Sequence, residues 1–330
     1  MPHPDLVTQL RTTFLNRLTT TFGDRQPAGL YAPVDYIMGL GGKRVRPVLA
    51  LLAARMFGDP DGAPAGLPVA LAVETFHNFT LVHDDIMDDS PLRRGRPTVH
   101  ERWDTNTGIL SGDLMLIQAY EHLCSLPDPT RTAELLCTFN RVARGVCEGQ
   151  QYDVDFERRG DVTVDEYLRM IELKTAVLLG GALEMGALAA GAPRAAADRL
   201  YAFGRLTGLA FQLQDDLLDT FGDQALTGKR TGNDIIRNKK TYLYLRTLAD
   251  AGPAEASEMA ELFRAQPADP APKVARVTAI MEAAGIPAKV AALRDELQAE
   301  AYAHLDAAGG DPAVRAALRA LTEGLLQRQH

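Results

Sequence analysis

Residues 81–97 read LVHDDIMDDSPLRRGRP, and the first part of that stretch sets the reading of the fold. Asp84 and Asp88 stand four residues apart, and Asp85 and Asp88 three, the spacings that place side chains on one helical face. Such a face is about 6 Å long. Phe79, Leu81, Val82, Ile86 and Met87 flank it, so this is not simply a solvated acidic run. Like charges at these spacings destabilise a helix by roughly a few tenths of a kcal/mol per pair. A compensating cation is therefore predicted. Hard carboxylate oxygens favour Mg²⁺, which keeps several waters and bridges readily to phosphate oxygens.

The arrangement occurs twice. Residues 211–223, FQLQDDLLDTFGD, place Asp215, Asp216 and Asp219 at the same spacing between apolar neighbours. Either cluster alone could be an acidic helix end, but a destabilising pattern used twice asks for a common ligand. Cations lie close by. GGKRVRP supplies Lys43, Arg44 and Arg46, PLRRGRP supplies Arg93, Arg94 and Arg96, and GKRTGNDIIRNKKTY supplies Lys229, Arg230, Lys239 and Lys240. Each could be a solvated basic loop. Paired with acid clusters, they predict phosphate groups held between metal ions and Arg/Lys donors. Lys43 and Lys229 are each followed by arginine and have the wrong glycine spacing for a Walker A loop.

Outside these motifs apolar residues recur at i, i+3 and i+4, as in Leu6, Leu10, Phe14 and Leu18. Helices are predicted over Arg46 to Phe57, Pro68 to Met87, Thr107 to Cys124, Thr130 to Glu157, Val164 to Ala190, Ala195 to Phe221 and Lys240 to Ala249. No alternating strand pattern is evident. Thr163 and Glu166 have capping-box spacing. The turns between helices are short and rich in Gly and Pro, which predicts one all-α bundle over 1–330 rather than two domains.

The chain has 330 residues, 46% of them hydrophobic, and a formal net charge of −8. That balance argues against nucleic acid as a partner. No apolar run approaches the roughly 20 residues of a membrane span, and the start shows no secretory h-region. A soluble, cytoplasmic protein is expected. Cys124, Cys137 and Cys147 form no CxxC pair and are read as reduced thiols buried in helices.

The ordered set GGKRVRP, HNFTLVHDDIMDDSPLRRGRPTVH, Lys174-Thr175, FQLQDDLLD and GKRTGNDIIRNKK resembles the trans-isoprenyl diphosphate synthases, the farnesyl and geranylgeranyl diphosphate synthase family. The motifs run from about Gly41 to Lys240. The resemblance implies an all-α bundle around a central cavity, a homodimer, and small-molecule diphosphates as substrates. It implies that Asp84, Asp85, Asp88, Asp215, Asp216 and Asp219 hold three Mg²⁺ ions on an allylic diphosphate. Arg93, Lys174, Lys229 and Lys239 would donate to the same group. Lys43, Arg46, His77 and Arg94 would hold isopentenyl diphosphate. The Lys174 carbonyl, the Thr175 hydroxyl and the Gln212 amide would stabilise an allylic cation. His83 and Asp89 are read as supporting or surface residues.

Each helical turn back from Asp84 descends about 5.4 Å, comparable with one isoprene unit. Phe79, Thr80 and Phe76 therefore would set product length if the family's cavity lies below this motif. Two residues between the aspartate pair and Asp88, with a bulky Phe79, resemble geranylgeranyl-type more than farnesyl-type enzymes. Both phenylalanines could instead be interhelical core. A longer-chain synthase, a class I terpene cyclase and a non-catalytic synthase subunit remain alternatives. GGKRVRP and the lysine-rich loop oppose the cyclase, and two intact acidic motifs oppose the regulatory subunit.

Overall fold

The computed structural model describes residues 3–21, 25–59, 64–222 and 231–326. Helices α1 (His3–Thr21), α2 (Ala28–Gly39), α3 (Val45–Met56) and α4 (Gly66–Met87) open the chain. After a two-stranded hairpin come α5 (Val99–Arg102), α6 (Thr105–Cys124), α7 (Thr132–Arg158), α8 (Val164–Ile171), α9 (Val177–Ala189) and α10 (Arg194–Phe221). The chain continues through α11 (Asn233–Ile236), α12 (Tyr242–Asp250), α13 (Pro253–Leu262), α14 (Ala271–Ala283), α15 (Ile286–Ala307) and α16 (Pro312–Leu326). The architecture is all-α, as the periodicity predicts. The capping box also forms: Glu166 N–H donates to Thr163 Oγ1 at 3.2 Å and Thr163 N–H to Glu166 Oε2 at 2.9 Å.

Three expectations need correction. A short strand pair exists: β1 (Leu92–Arg93) pairs antiparallel with β2 (Arg96–Pro97), with Arg93 opposite Arg96. Its two-residue turn, Arg94 (φ 54°) and Gly95 (φ 74°), is left-handed at both positions, the combination that matches strand twist. The predicted helix from Val164 to Ala190 is not uniform either. A π-helical turn at Glu172–Ala176 separates α8 from α9, with Val177 N–H donating to the Glu172 carbonyl. Finally, the three cysteines are unpaired but exposed rather than buried. The core-facing positions of α6 and α7 belong to Met115, Leu123, Leu135 and Phe139 instead.

Two compact units make up the chain. One takes Met1–Arg141, Gly181–Tyr201 and Ala307–Leu318, and the other Val142–Gly180, Ala202–Asp306 and Arg319–His330. In the first, α3 is apolar all round from Val48 to Ala54, residues that are each at most 1% exposed. The helix α4 packs on α3 and α6. Its first turn is capped by buried Asp59, whose Oδ2 accepts from Ala65 and Gly66 N–H at 3.2 and 3.0 Å. In the second unit Tyr167, Leu213, Leu243, Val277, Ile286 and Val290 form the centre of a contiguous core.

Candidate active site

In the first unit the GGKRVRP turn delivers its cations by backbone conformation. Gly41 (φ 77°), Gly42 (φ 115°) and Arg44 (φ 50°) are left-handed in the residues leading into α3. Glycine suits position 42 because its φ is one that L side chains rarely adopt, and a Cβ there would also press on the end of the Arg94 side chain at 2.9 Å. Arg94 in turn donates through Nη1 to the Gly41 carbonyl. Arg44 turns inward, pairs with buried Glu74 and donates to the Met38 carbonyl. Glu74 also accepts from Asn78 Nδ2 at 3.2 Å. Lys43 is exposed.

Arg46 Nη1 lies 3.2 Å from His77 Nε2. Arginine only donates, so Nε2 accepts and the ring hydrogen belongs on Nδ1. Burial holds His77 well below the ordinary histidine range, and the fields of Arg46, Arg94, Arg93 and Arg44 push the same way. The ring is neutral at pH 7. Burial also lowers Arg46 and Arg94; Glu74 opposes this in both, while neighbouring arginines add to it. The cluster is cation-rich, its buried acid is committed to Arg44, and Arg46 Nε has no hydrogen-bond partner. Such a group favours an anion with several acceptor oxygens.

The first acidic motif forms the last turn of α4, with no basic residue in that turn. A helix C-terminus carries partial negative charge, so three carboxylates there are doubly unfavourable without a cation. Asp85 is 2% exposed and meets Arg93 on the hairpin, with Nε and Nη2 donating to its two oxygens at 2.7 Å each. Burial raises Asp85, while the Arg93 bonds and charge pull it back. Burial works against Arg93, but Asp85, Asp84 and Asp88 outweigh it and hold the guanidinium above its ordinary value. Asp84 is half-buried and Asp88 exposed.

Behind this motif Phe76 is buried, with its ring 5.3 Å from Phe139 and 5.5 Å from Phe79. Phe79 is half-buried and sits edge-on to His83 at 4.8 Å. The Thr80 hydroxyl donates to the His77 carbonyl at 2.7 Å. His83 lies over Gly112 of α6, where a Cβ would come within 2.2 Å of its Nε2. It supports the turn from one side.

In the second unit the second acidic motif again closes a helix, α10, whose last turn also has no basic residue. Asp215 is exposed and Asp219 half-buried. Asp219 Oδ2 accepts from Asp234 N–H at 2.9 Å, which ties the motif to the start of α11. Asp216 is 2% exposed. Its oxygens accept from Tyr167 Oη at 2.7 Å and from Gln212 Nε2 at 3.1 Å. Burial raises Asp216 to about 7, against the lowering effect of Tyr167, Lys239 and Gln212.

Lys174 and Thr175 lie in the π turn, and Lys174 Nζ meets Asp153 Oδ2 at 2.6 Å. Two glycines let neighbouring helices reach that turn. A Cβ on Gly149 of α7 would sit 2.2 Å from Lys174 N, and one on Gly208 of α10 would sit 2.7 Å from Ala176 Cα. Inserted π turns concentrate at functional positions. Lys240 is used differently from its sequence neighbours, since its Nζ donates to the carbonyls of Phe156 at 2.5 Å, Glu157 at 3.2 Å and Arg159, closing the end of α7. Lys229 lies outside the described residues. Lys239 follows Asn238, which is left-handed (φ 58°).

The structure thus groups Arg46, His77 and Arg94, groups Asp85 with Arg93, and groups Gln212 with Asp216. Glu74, Asp153 and Tyr167 escaped the sequence reading. Glu74 is a lone acid in the apolar first half of α4, a signal the sequence does offer, whereas Asp153 and Tyr167 stand among charged and polar neighbours that hide them. Among the described residues, the non-glycine positions with positive φ are Arg44, Asp89, Arg94 and Asn238. All four are predicted site residues or lie beside one, and backbone strain of this kind gathers at functional sites.

An acid-tipped helix end in each unit, and a part-buried arginine–histidine cluster in the first, suit an all-α enzyme of diphosphate chemistry. The sequence profile of the polyprenyl synthetase family matches residues 27–281. A geranylfarnesyl diphosphate synthase of Natronomonas pharaonis is 40% identical over 236 residues, 67% of this chain and 69% of that one. A geranylgeranyl diphosphate synthase of Methanosarcina mazei is 41% identical over 221 residues, 67% of this chain and 68% of that one. A crystal structure of a geranylgeranyl pyrophosphate synthase superposes with a TM-score of 0.92 at 44% identity, covering 98% of this chain and 99% of that one. The chain belongs to the polyprenyl synthetase family and is a trans-prenyltransferase.

Proposed function

We propose that this chain condenses isopentenyl diphosphate with allylic diphosphates of five, ten and fifteen carbons, with geranylgeranyl diphosphate as the main all-trans product. The observation that carries this reading is the cluster of Arg46, Arg94 and neutral His77, beside a Glu74 already paired with Arg44. Fixed cations without a matching acid suit a diphosphate held directly by protein donors. A terpene cyclase has no second diphosphate to place there.

Lys43, Arg46, His77 and Arg94 hold isopentenyl diphosphate in this reading. Arg93, Lys174, Lys229 and Lys239 donate to the allylic diphosphate. The hard oxygen donors at two negative helix ends fit Mg²⁺. Asp84, Asp88, Asp215 and Asp219 would ligate most directly, and Asp85 and Asp216 through the lone pairs that Arg93 and Tyr167 leave, for three ions in all. When bound, Mg²⁺ supplies positive charge to the departing diphosphate. As the allylic carbon–oxygen bond breaks, the Lys174 carbonyl, the Thr175 hydroxyl and the Gln212 amide stabilise the carbon cation. The alkene of isopentenyl diphosphate then forms the new carbon–carbon bond, and a proton passes to diphosphate. No side-chain nucleophile is needed. Phe79 packs on Phe76, itself edge-on to Phe139, and forms the floor for the growing chain.

The chain works as one domain, since each unit draws on three separate stretches of sequence. It works as a homodimer through α6, where Ile109, Leu110 and Ile117 are 41%, 59% and 57% exposed. No described helix is long and apolar enough to cross a membrane. Three unpaired thiols support a reducing compartment, the cytoplasm.

Mass spectrometry of products formed with Mg²⁺, isopentenyl diphosphate and each allylic acceptor tests the reading. A twenty-carbon diphosphate from all three is expected. Stopping at fifteen carbons, or passing to twenty-five, would overturn the product assignment. Failure to incorporate isopentenyl diphosphate would overturn the function.

A further inference from the structure

The hairpin β1–β2 brings together three residues that the condensation reaction does not use. Thr98 N–H donates to the Pro91 carbonyl at 3.1 Å and Thr98 Oγ1 to the Ser90 carbonyl at 2.8 Å, which closes the loop. Asp89 lies just before that closure, and His100 and Glu101 just after it, on α5. Single ligand atoms from Asp89, His100 and Glu101 all lie within 4.8 Å of one another.

The imidazole makes this more than an acidic surface. The His100 side chain is only 7% exposed, yet neither ring nitrogen has a hydrogen-bond partner. Its Nε2 points toward Glu101 Oε1 at 3.9 Å, too far for a hydrogen bond. A buried polar group left in this state is expensive, and native folds normally satisfy it. A cation that accepts the imidazole lone pair, together with both carboxylates, would satisfy one of the two nitrogens.

We propose that Asp89, His100 and Glu101 form a second divalent-cation site, selective for a zinc-like transition ion and separate from the Mg²⁺ positions of the two aspartate motifs. One imidazole nitrogen with two carboxylates is a donor set for Zn²⁺, Mn²⁺ or Co²⁺, with water completing the shell. Mg²⁺ prefers oxygen donors throughout and gives up water reluctantly. Two carboxylates also match the ion's charge. Ligand atoms around a tetrahedral Zn²⁺ stand about 3.4 Å apart, given bonds of about 2.1 Å. The exposed Asp89 and Glu101 side chains need only turn inward to reach that spacing. An ion there would tie Asp89, the residue after Asp88, to α5, and so clamp both ends of the hairpin carrying Arg93 and Arg94.

The test uses the tag-free full chain in excess Mg²⁺, titrated with Co²⁺ and read by visible absorption, with Zn²⁺ bound per chain counted after dialysis. One ion per chain is expected, with an imidazole-type visible band and no near-ultraviolet sulfur band from the exposed cysteines. His100→Ala and Glu101→Gln should each weaken binding at least about tenfold, while Asp84→Asn combined with Asp215→Asn leaves it unchanged. Far-ultraviolet circular dichroism checks each variant, and Glu101, half-exposed, keeps the test valid if His100→Ala misfolds. Binding that survives Glu101→Gln, disappears with Asp84→Asn and Asp215→Asn, or is displaced by Mg²⁺ would overturn the proposal.

Discussion

Asp85 and Arg93 form a two-pronged ion pair, with both carboxylate oxygens at 2.7 Å from guanidinium nitrogens. One is the second aspartate of an acidic motif and the other begins a cationic hairpin. The contact therefore sets where both sit. It also spends one carboxylate and one guanidinium on each other, leaving Asp84 and Asp88 as the more accessible acids.

Replacing Arg93 separates charge from geometry. Arg93→Lys keeps the charge but loses the fork, and should lower kcat/KM for the allylic substrate by about tenfold or more. Arg93→Ala strands a buried carboxylate and should cost about 3 kcal/mol in urea denaturation. Equal stability of the two variants would show that Asp85 does not need its partner.

Gly149→Ala should destabilise the protein by about 1–3 kcal/mol, because the new methyl meets Lys174 backbone rather than a movable side chain. Displacing the π turn should also lower turnover. Gly324→Ala provides the contrast. That glycine is helical and exposed with nothing within 4 Å, so the change should stabilise by about 0.5–1 kcal/mol. Thermal melting beside steady-state rates checks both.

The two phenylalanines should part company. Phe76 is 1% exposed, and Phe76→Ala should cost about 3–5 kcal/mol as a core truncation. Phe79→Ala should cost less and lengthen the product by one or more isoprene units. Chromatography of the dephosphorylated products and urea denaturation measure the two effects separately.

The Tyr167–Asp216 bond carries a pH signature. Asp216 titrates near 7 in the fold and lower when unfolded, so its folded form retains a proton longer. Its own contribution to stability is present at low pH and is lost as pH rises through about 7. Tyr167 Oη stabilises the ionised carboxylate, so Tyr167→Phe pushes that titration higher still. The variant should lose about 1–3 kcal/mol, more at pH 8 than at pH 6. A loss independent of pH would assign Tyr167 to packing alone.

Much of this was readable beforehand. The ends of α3, α4 and α10 fall within two residues of the positions that periodicity and turn residues predict, and the Thr163–Glu166 capping box forms as its spacing implies. Short-range patterns determine such features. The π turn was not readable, because ELKTA has ordinary helical composition and the turn is shaped by contact with Gly149 and Gly208 from other helices. The hairpin escaped because its turn places an arginine at positive φ, a choice local preference opposes. Arg44 and Lys240 look like their neighbours Arg46 and Lys239 in sequence, but long-range partners turn one toward Glu74 and the other onto the end of α7. The cysteines are exposed because helix faces, not residue type, decide burial at those positions.

Arg44, Asp89, Arg94 and Asn238 hold backbone conformations that glycine would adopt more comfortably. Selection for heat resistance alone should therefore enrich glycine at Arg94, the exposed turn residue among the cations, returning variants that melt later while gripping anions less well. Directed evolution of this enzyme needs turnover in the screen from its first round.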